Sequence, residues 1–99
     1  MERPATAPAD ATRAIHHGES FAEGTGTVMP PIFATSTFAH GNQAGFDYTR
    51  SGNPNFRILE GVLASLEHCQ HATVFASGVS AITAIASSLQ QGDLVLCEE

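Results

Sequence analysis

Two short segments hold the residue types that could grip a phosphate. The first is Asp47-Tyr48-Thr49-Arg50-Ser51-Gly52-Asn53-Pro54-Asn55. A guanidinium such as that of Arg50 binds a phosphate through two parallel, charge-assisted hydrogen bonds. Tyr48 stands two residues away, so in an extended segment both side chains point to one side. A phenol and a guanidinium on one side suit a phosphate dianion. The second segment is Phe75-Ala76-Ser77-Gly78-Val79-Ser80, read as a strand end, a tight turn and a helix start. The first N–H groups of a helix lack intrahelical partners and carry partial positive charge. Gly78 has no side chain, so an anion can reach the backbone there. Plainer roles stay open for both segments: Ser77 as a helix cap, and Arg50 as a surface partner of Asp47.

Other chemistries find less support. The basic residues are Arg3, Arg13, Arg50 and Arg57, and no lysine occurs. Any reaction that needs an amine side chain must find it elsewhere. His68-Cys69-Gln70-His71 has the ligand types of a zinc site, but its spacing fits no standard pattern and no second ligand pair follows. A solvated loop between helix and strand is the better reading. No G-x-S-x-G, Walker loop or G-x-G-x-x-G is present, and Ser80 has no evident base partner. The formal charge of -6 over 99 residues argues against nucleic acid or an anionic membrane as partner. Cys69 and Cys97 make no C-x-x-C pair and no disulfide framework. No apolar stretch is long enough to span a bilayer, and the first residues lack the apolar run of a secretory signal. A reducing cytoplasm is the default compartment.

The elements that must position these groups follow from periodicity. Residues 1–12, rich in Ala, Pro and Thr, read as a flexible tail. Residues 13–53 read as an N-terminal arm: a short helix over 13–20 ending near Gly18, then an irregular stretch over 21–53. So long a stretch without regular structure is unusual inside a compact domain and suits an arm lying on something larger. Asn53 is a good helix N-cap, and Pro54 fits the first helical position. Ile58, Leu59, Val62, Leu63 and Leu66 then form one apolar stripe of a helix from Pro54 to Glu67. His71 to Ala76 reads as a buried strand. Val79, Ile82, Ile85, Ala86 and Leu89 predict a second helix running to about Gln91, with Gly92 as its stop. Leu94 to Cys97 reads as a strand buried on both faces of a parallel sheet. Strand, helix, strand makes one right-handed βαβ unit of an α/β fold. One such unit cannot cover both faces of its own sheet, and the sequence stops two residues after the last strand. The expectation is the start of a larger α/β domain, with poor folding in isolation.

Taken in order, these segments resemble the Cys/Met-metabolism family of pyridoxal-phosphate (PLP) enzymes. The family includes cystathionine gamma-synthases, cystathionine lyases, methionine gamma-lyases and O-acylhomoserine sulfhydrylases. The resemblance runs from about Arg13 to Cys97. It is carried by Thr12-Arg13-Ala14-Ile15-His16-His17-Gly18, Pro30-Pro31-Ile32, Ser36-Thr37-Phe38, Tyr48-Thr49-Arg50-Ser51-Gly52-Asn53-Pro54, Leu59-Glu60, Leu66-Glu67, Ser77-Gly78-Val79-Ser80-Ala81-Ile82 and Gly92-Asp93.

The resemblance implies the aspartate-aminotransferase-like fold (fold type I), usually a homotetramer built from two active dimers, with residues 54–99 as the start of the large PLP-binding domain. It implies that Tyr48 and Arg50 reach the cofactor phosphate of a neighbouring subunit. Gly78 and Val79, in the turn that begins at Ser77, would offer backbone N–H groups to the phosphate of their own subunit. Many relatives carry methionine where this chain has Val79, a change that a backbone contact tolerates.

By the same resemblance, the Schiff-base lysine, the tyrosine stacking on the cofactor ring and the substrate-carboxylate arginine all lie beyond residue 99. No catalytic residue is assigned within the chain, which is expected to be inactive alone. The implied substrate is a small amino acid, and the implied chemistry is C–S bond formation or cleavage, with cystathionine gamma-synthase preferred. Cystathionine beta-lyase and O-acylhomoserine sulfhydrylase are the enzyme alternatives. A non-catalytic remnant and an unrelated phosphate-binding α/β module stand outside the enzyme reading. The phosphate-binding module would account for the Ser77-Gly78 turn but not for the Tyr48/Arg50 segment.

Overall fold

Helices in this chain begin where a side chain can stand in for a missing carbonyl. At Asn53 the backbone is extended (φ -147°, ψ 145°) and the side-chain oxygen accepts the N–H of Asn55 at 2.9 Å. Pro54 follows as the first helical residue, where the lack of an N–H costs nothing. Ser77 repeats the device, its hydroxyl accepting the N–H of Ser80 at 3.2 Å. The computed structural model describes residues 9–16 and 24–98. Its helices are α1 (Asp10–His16), α2 (Pro54–Leu66) and α3 (Gly78–Ala86).

α1 begins earlier than its apolar pattern suggests, taking in Asp10, Ala11 and Thr12 from what reads as tail. Asp10 sits in the first turn, where a carboxylate favours the helix dipole, and it pairs with Arg13 one turn on. That hydrogen bond, followed by the charge of the guanidinium, holds the Asp10 carboxyl below its ordinary pKa. Arg13 also donates to the carbonyl of Ser65 at 3.1 Å, which docks α1 on α2. The expected helix end near Gly18 and the tail over 1–8 lie outside the described residues.

α2 matches its expected span, with Glu67 serving as C-cap rather than as a helical residue. His68 follows with φ 54°, and the N–H of Cys69 returns to the carbonyl of Ala64 at 3.0 Å. This is the Schellman closure, with histidine at the left-handed position that glycine usually fills. Of the expected stripe only Ile58 is buried; Leu59 and Leu63 are exposed, and Pro54 and Ala64 join the buried set.

The arm is better ordered than its composition suggests. The chain doubles back, with an antiparallel bridge between Thr37 and Tyr48. Flanking it, Phe38 N–H donates to Asp47 C=O and Thr49 N–H to Ser36 C=O, both at 2.9 Å. Asn42 fills the loop, donating to the carbonyls of Ala39 and Phe46 and accepting the Phe46 N–H. Phe46 is buried at the centre of this loop. Phe38 lies 5.2 Å from it between ring centroids, and the Arg57 guanidinium stands 4.3 Å over its face. Gly52 passes so close that a Cβ there would meet the Phe46 ring at 3.5 Å.

Beyond α2 this order ends. α3 stops at Ala86, short of the expected Gln91. The hydroxyls of Ser87 and Ser88 take the carbonyls of Thr83 and Ile85, and such bonds compete with helix continuation. Gly92, expected as the stop, instead occupies a separate turn (φ 103°) closed by Gln90 and Asp93. Residues 71–76 and 94–97 form no strand among the described residues. The expected βαβ unit is therefore not seen. A strand exists through exchanged hydrogen bonds, and neither segment has a partner strand beside it. No residue of α3 is buried, and Val79, Ile82 and Ile85 stay open to solvent. The radius of gyration, 17.9 Å, exceeds the roughly 13 Å of a compact domain of this length. Among the described residues no helix is long and apolar enough to cross a membrane.

Candidate functional site

Tyr48 and Arg50 do come together, though not in the expected way. The segment is a turn rather than a strand: the N–H groups of Ser51 and Gly52 both donate to the Tyr48 carbonyl, at 2.9 and 3.0 Å. The turn folds the Arg50 guanidinium over the Tyr48 ring, 5.3 Å from its centroid. Both side chains are exposed, and no salt bridge of Arg50 to Asp47 is recorded among the described residues. A cation held over an aromatic face keeps its N–H edge free for an anion.

Thr49, between them, is fixed from three sides. Its N–H donates to Ser36, its hydroxyl donates to the Thr35 carbonyl, and that hydroxyl accepts from the Asn53 amide at 3.0 Å.

Ser77, Gly78 and Val79 form the exposed start of α3. The Ser77 hydroxyl occupies the Ser80 N–H and lies 2.8 Å from the Ser80 hydroxyl. The cap therefore serves the later donor and leaves the N–H groups of Gly78 and Val79 to an outside acceptor. A Cβ built on Gly78 would meet nothing within 4 Å, so the approach to these amides is open. The backbone present here fits a phosphate. Covalent attachment has no lysine to use.

The two segments face a shared depression of about 1020 Å³. Ser36, Tyr48, Thr49 and Arg50 line it from the arm, and Phe75, Ala76 and Ser80 from the α3 side. Ser77, Gly78 and Val79 themselves are not part of its wall. Sequence reasoning overlooked Glu60, which reaches this wall from α2 and accepts the N–H of Val74 at 3.0 Å. The Leu59-Glu60 motif was its only signal. Among the described residues no group of three or more His, Cys, Asp or Glu side chains could hold a metal ion. His68 ends α2, and the Cys69 thiol donates to the His71 carbonyl at 3.2 Å.

The family model described as Cys/Met metabolism PLP-dependent enzyme matches residues 11–99. A protein of Herpetosiphon aurantiacus named probable cystathionine gamma-synthase is 46% identical over 90 residues, covering 88% of this chain and 28% of that protein. The human cystathionine gamma-lyase is 41% identical over 91 residues, covering 88% of this chain and 22% of that protein. Among solved structures, apo methionine gamma lyase from Micromonospora echinospora aligns with a TM-score of 0.76 at 38% identity, over 86% of this chain and 23% of that one. Cystathionine gamma synthase from Xanthomonas oryzae pv. oryzae, in complex with aminoacrylate and cysteine, aligns with a TM-score of 0.76 at 37% identity, over 89% and 24%. The chain thus spans about a quarter of the length of the relatives it matches.

Proposed function

The chain belongs to the Cys/Met-metabolism family of PLP-dependent enzymes, and from that premise we propose that it supplies the phosphate grip of a cytoplasmic trans-sulfuration enzyme. The reaction class is formation or cleavage of a C–S bond in a small amino acid, on the pattern of cystathionine gamma-synthase. The first βαβ elements of the large domain assemble when residues 71–76 and 94–97 gain strand neighbours.

In this reading the chain binds rather than reacts. The Gly78 and Val79 N–H groups donate to phosphate oxygens, helped by the α3 dipole. The Arg50 guanidinium donates through its planar edge, and the Tyr48 hydroxyl adds a further donor. PLP, when bound, supplies the electron sink that C–S chemistry needs. Tyr48 and Arg50 serve a neighbouring subunit's cofactor, while the Ser77-Gly78-Val79 turn serves its own. The observation that carries this reading is the open approach to Gly78 at the start of α3.

A second arrangement has its own support. Tyr48, Arg50 and Ser80 line one depression within a single chain, so the grip could close inside one protomer. Protein concentration separates the two. A grip shared between subunits strengthens with chain concentration, and an internal one does not.

Tyr48 is the sole tyrosine and there is no tryptophan, so emission excited in the tyrosine band, beyond phenylalanine absorption, reports on Tyr48. Pyridoxal phosphate is expected to quench it saturably, and pyridoxal without the phosphate is not. Equal quenching by both contradicts the proposal. Since no lysine is present, added cofactor is expected to dialyse away. A band at the visible edge that survives dialysis and is lost in acid contradicts the predicted inactivity.

A further inference from the structure

Asn53 is the most buried described polar residue, at 2% exposure, and capping uses only half of its side chain. The oxygen accepts the Asn55 N–H. The amide nitrogen turns the other way, toward the arm. One hydrogen goes to the Phe33 carbonyl at 3.2 Å and the other to the Thr49 hydroxyl at 3.0 Å. Asn55 closes the same clamp: its amide donates to the Phe33 carbonyl at 3.2 Å and its oxygen accepts the Phe33 N–H at 3.3 Å.

A serine would cap α2 about as well, and serine begins α3 by the same device. Capping therefore explains the oxygen of Asn53 and leaves the nitrogen unexplained. We propose that Asn53 is a positioning residue whose amide nitrogen holds the Tyr48-Thr49-Arg50 turn against the start of α2. The inference rests on the phosphate reading of Tyr48 and Arg50. Thr49 is the link: its hydroxyl accepts from Asn53 and donates to the Thr35 carbonyl. One buried amide hydrogen is aimed at the residue between the two proposed phosphate ligands and the other at Phe33, so a single side chain ties the turn to the arm. Losing it leaves the Thr49 hydroxyl short of a partner and frees the turn.

Asn53→Ser separates the two halves of the side chain, because it keeps an N-cap oxygen and removes both amide donations. The test is residue-resolved hydrogen exchange and NMR on the full chain, with inorganic phosphate as the probe. In the variant, the Thr49 N–H is expected to exchange about tenfold faster while α2 amides such as Arg57 keep their protection. Phosphate is expected to shift the Arg50 Nε–H resonance in the original chain, with half-saturation about tenfold higher in the variant. Unchanged Thr49 exchange overturns the inference, as does a Thr49 amide unprotected from the start. Equal loss at Thr49 and throughout α2 also overturns it, since the residue would then act through the helix. A chain in which phosphate leaves Arg50 unmoved removes the phosphate reading instead, and the exchange data still decide the role of Asn53.

Discussion

The arm with α2 and the segment from His71 onward both carry large apolar residues but are in opposite condition. In the first, Phe46, Asn53, Ile58 and Ala64 are buried, and side-chain amides tie Phe33, Ala39 and Phe46. In the second, Val79, Ile82, Ile85, Leu94, Val95 and Leu96 are all exposed. The exposed segment is the richer in apolar residues, so a shortage of them does not explain its exposure. The difference lies in whether the described residues supply a covering partner. The arm finds its partner within the chain: Phe33 meets Asn53 and Asn55, 20 and 22 residues on, at the start of α2. The strand-like runs and α3 have no strand or helix covering them among the described residues. The proposed phosphate grip is split along this same line: its Tyr48/Arg50 half is built by contacts within the arm, and its Gly78/Val79 half hangs on a capped but uncovered helix.

Substitutions can break or sharpen the contrast. Phe46→Ala removes the ring that Phe38, Gly52 and Arg57 pack on. It is expected to destabilise the arm by about 3 kcal/mol, read as lost exchange protection at the Phe38 and Thr49 amides. Ser77→Ala acts on the uncovered side. It removes the α3 cap for about 1 kcal/mol, with circular dichroism losing helix signal while the arm amides stay protected. His68→Gly sharpens the ordered side. It relieves the left-handed residue at the end of α2, and a gain of about 0.5–1 kcal/mol is expected in chemical denaturation. Ile82→Ser should change stability by less than about 0.5 kcal/mol, despite replacing a large apolar residue. A large loss would mean that α3 is covered in solution.

The smallest effect is a pH dependence at α1. Hydrogen bonding to Arg13 lowers the Asp10 pKa, so the carboxylate is favoured in the folded chain. Its contribution is complete above the ordinary carboxylate range and is lost as pH falls through the lowered folded value. Acid titration should therefore weaken the Asp10–Arg13 pair within α1, with the Arg13 side-chain resonances moving as it does. In Asp10→Asn that step should be absent.

Some of this was legible beforehand because it depends on near neighbours in sequence. Asn53-Pro54 marked the start of α2, and Ser77-Gly78 that of α3, because caps act within one turn. Arg50 lies beside Tyr48 through a turn, not through the alternation of a strand that the spacing suggested. The Phe46 loop was not legible. Asn42, Gly52 and Arg57 surround it from positions with no common period, and nothing local marks Asn42 as a loop filler. The end of α3 was misread because Gly92 looked like the stop, whereas the hydroxyls of Ser87 and Ser88 act first. The strands were read from apolar runs, a pattern that shows the capacity to pair but not the presence of a partner.

The central claim is that a single phosphoryl group engages both halves of the grip. Titration of isotope-labelled chain with pyridoxal phosphate, followed at the Gly78 and Val79 amides and the Arg50 Nε–H, tests it most directly. The account predicts that all three move together along one saturation curve, and that Arg50→Ala shifts that curve for the two amides as well. Movement of Arg50 alone, or two amide responses indifferent to Arg50, would contradict it.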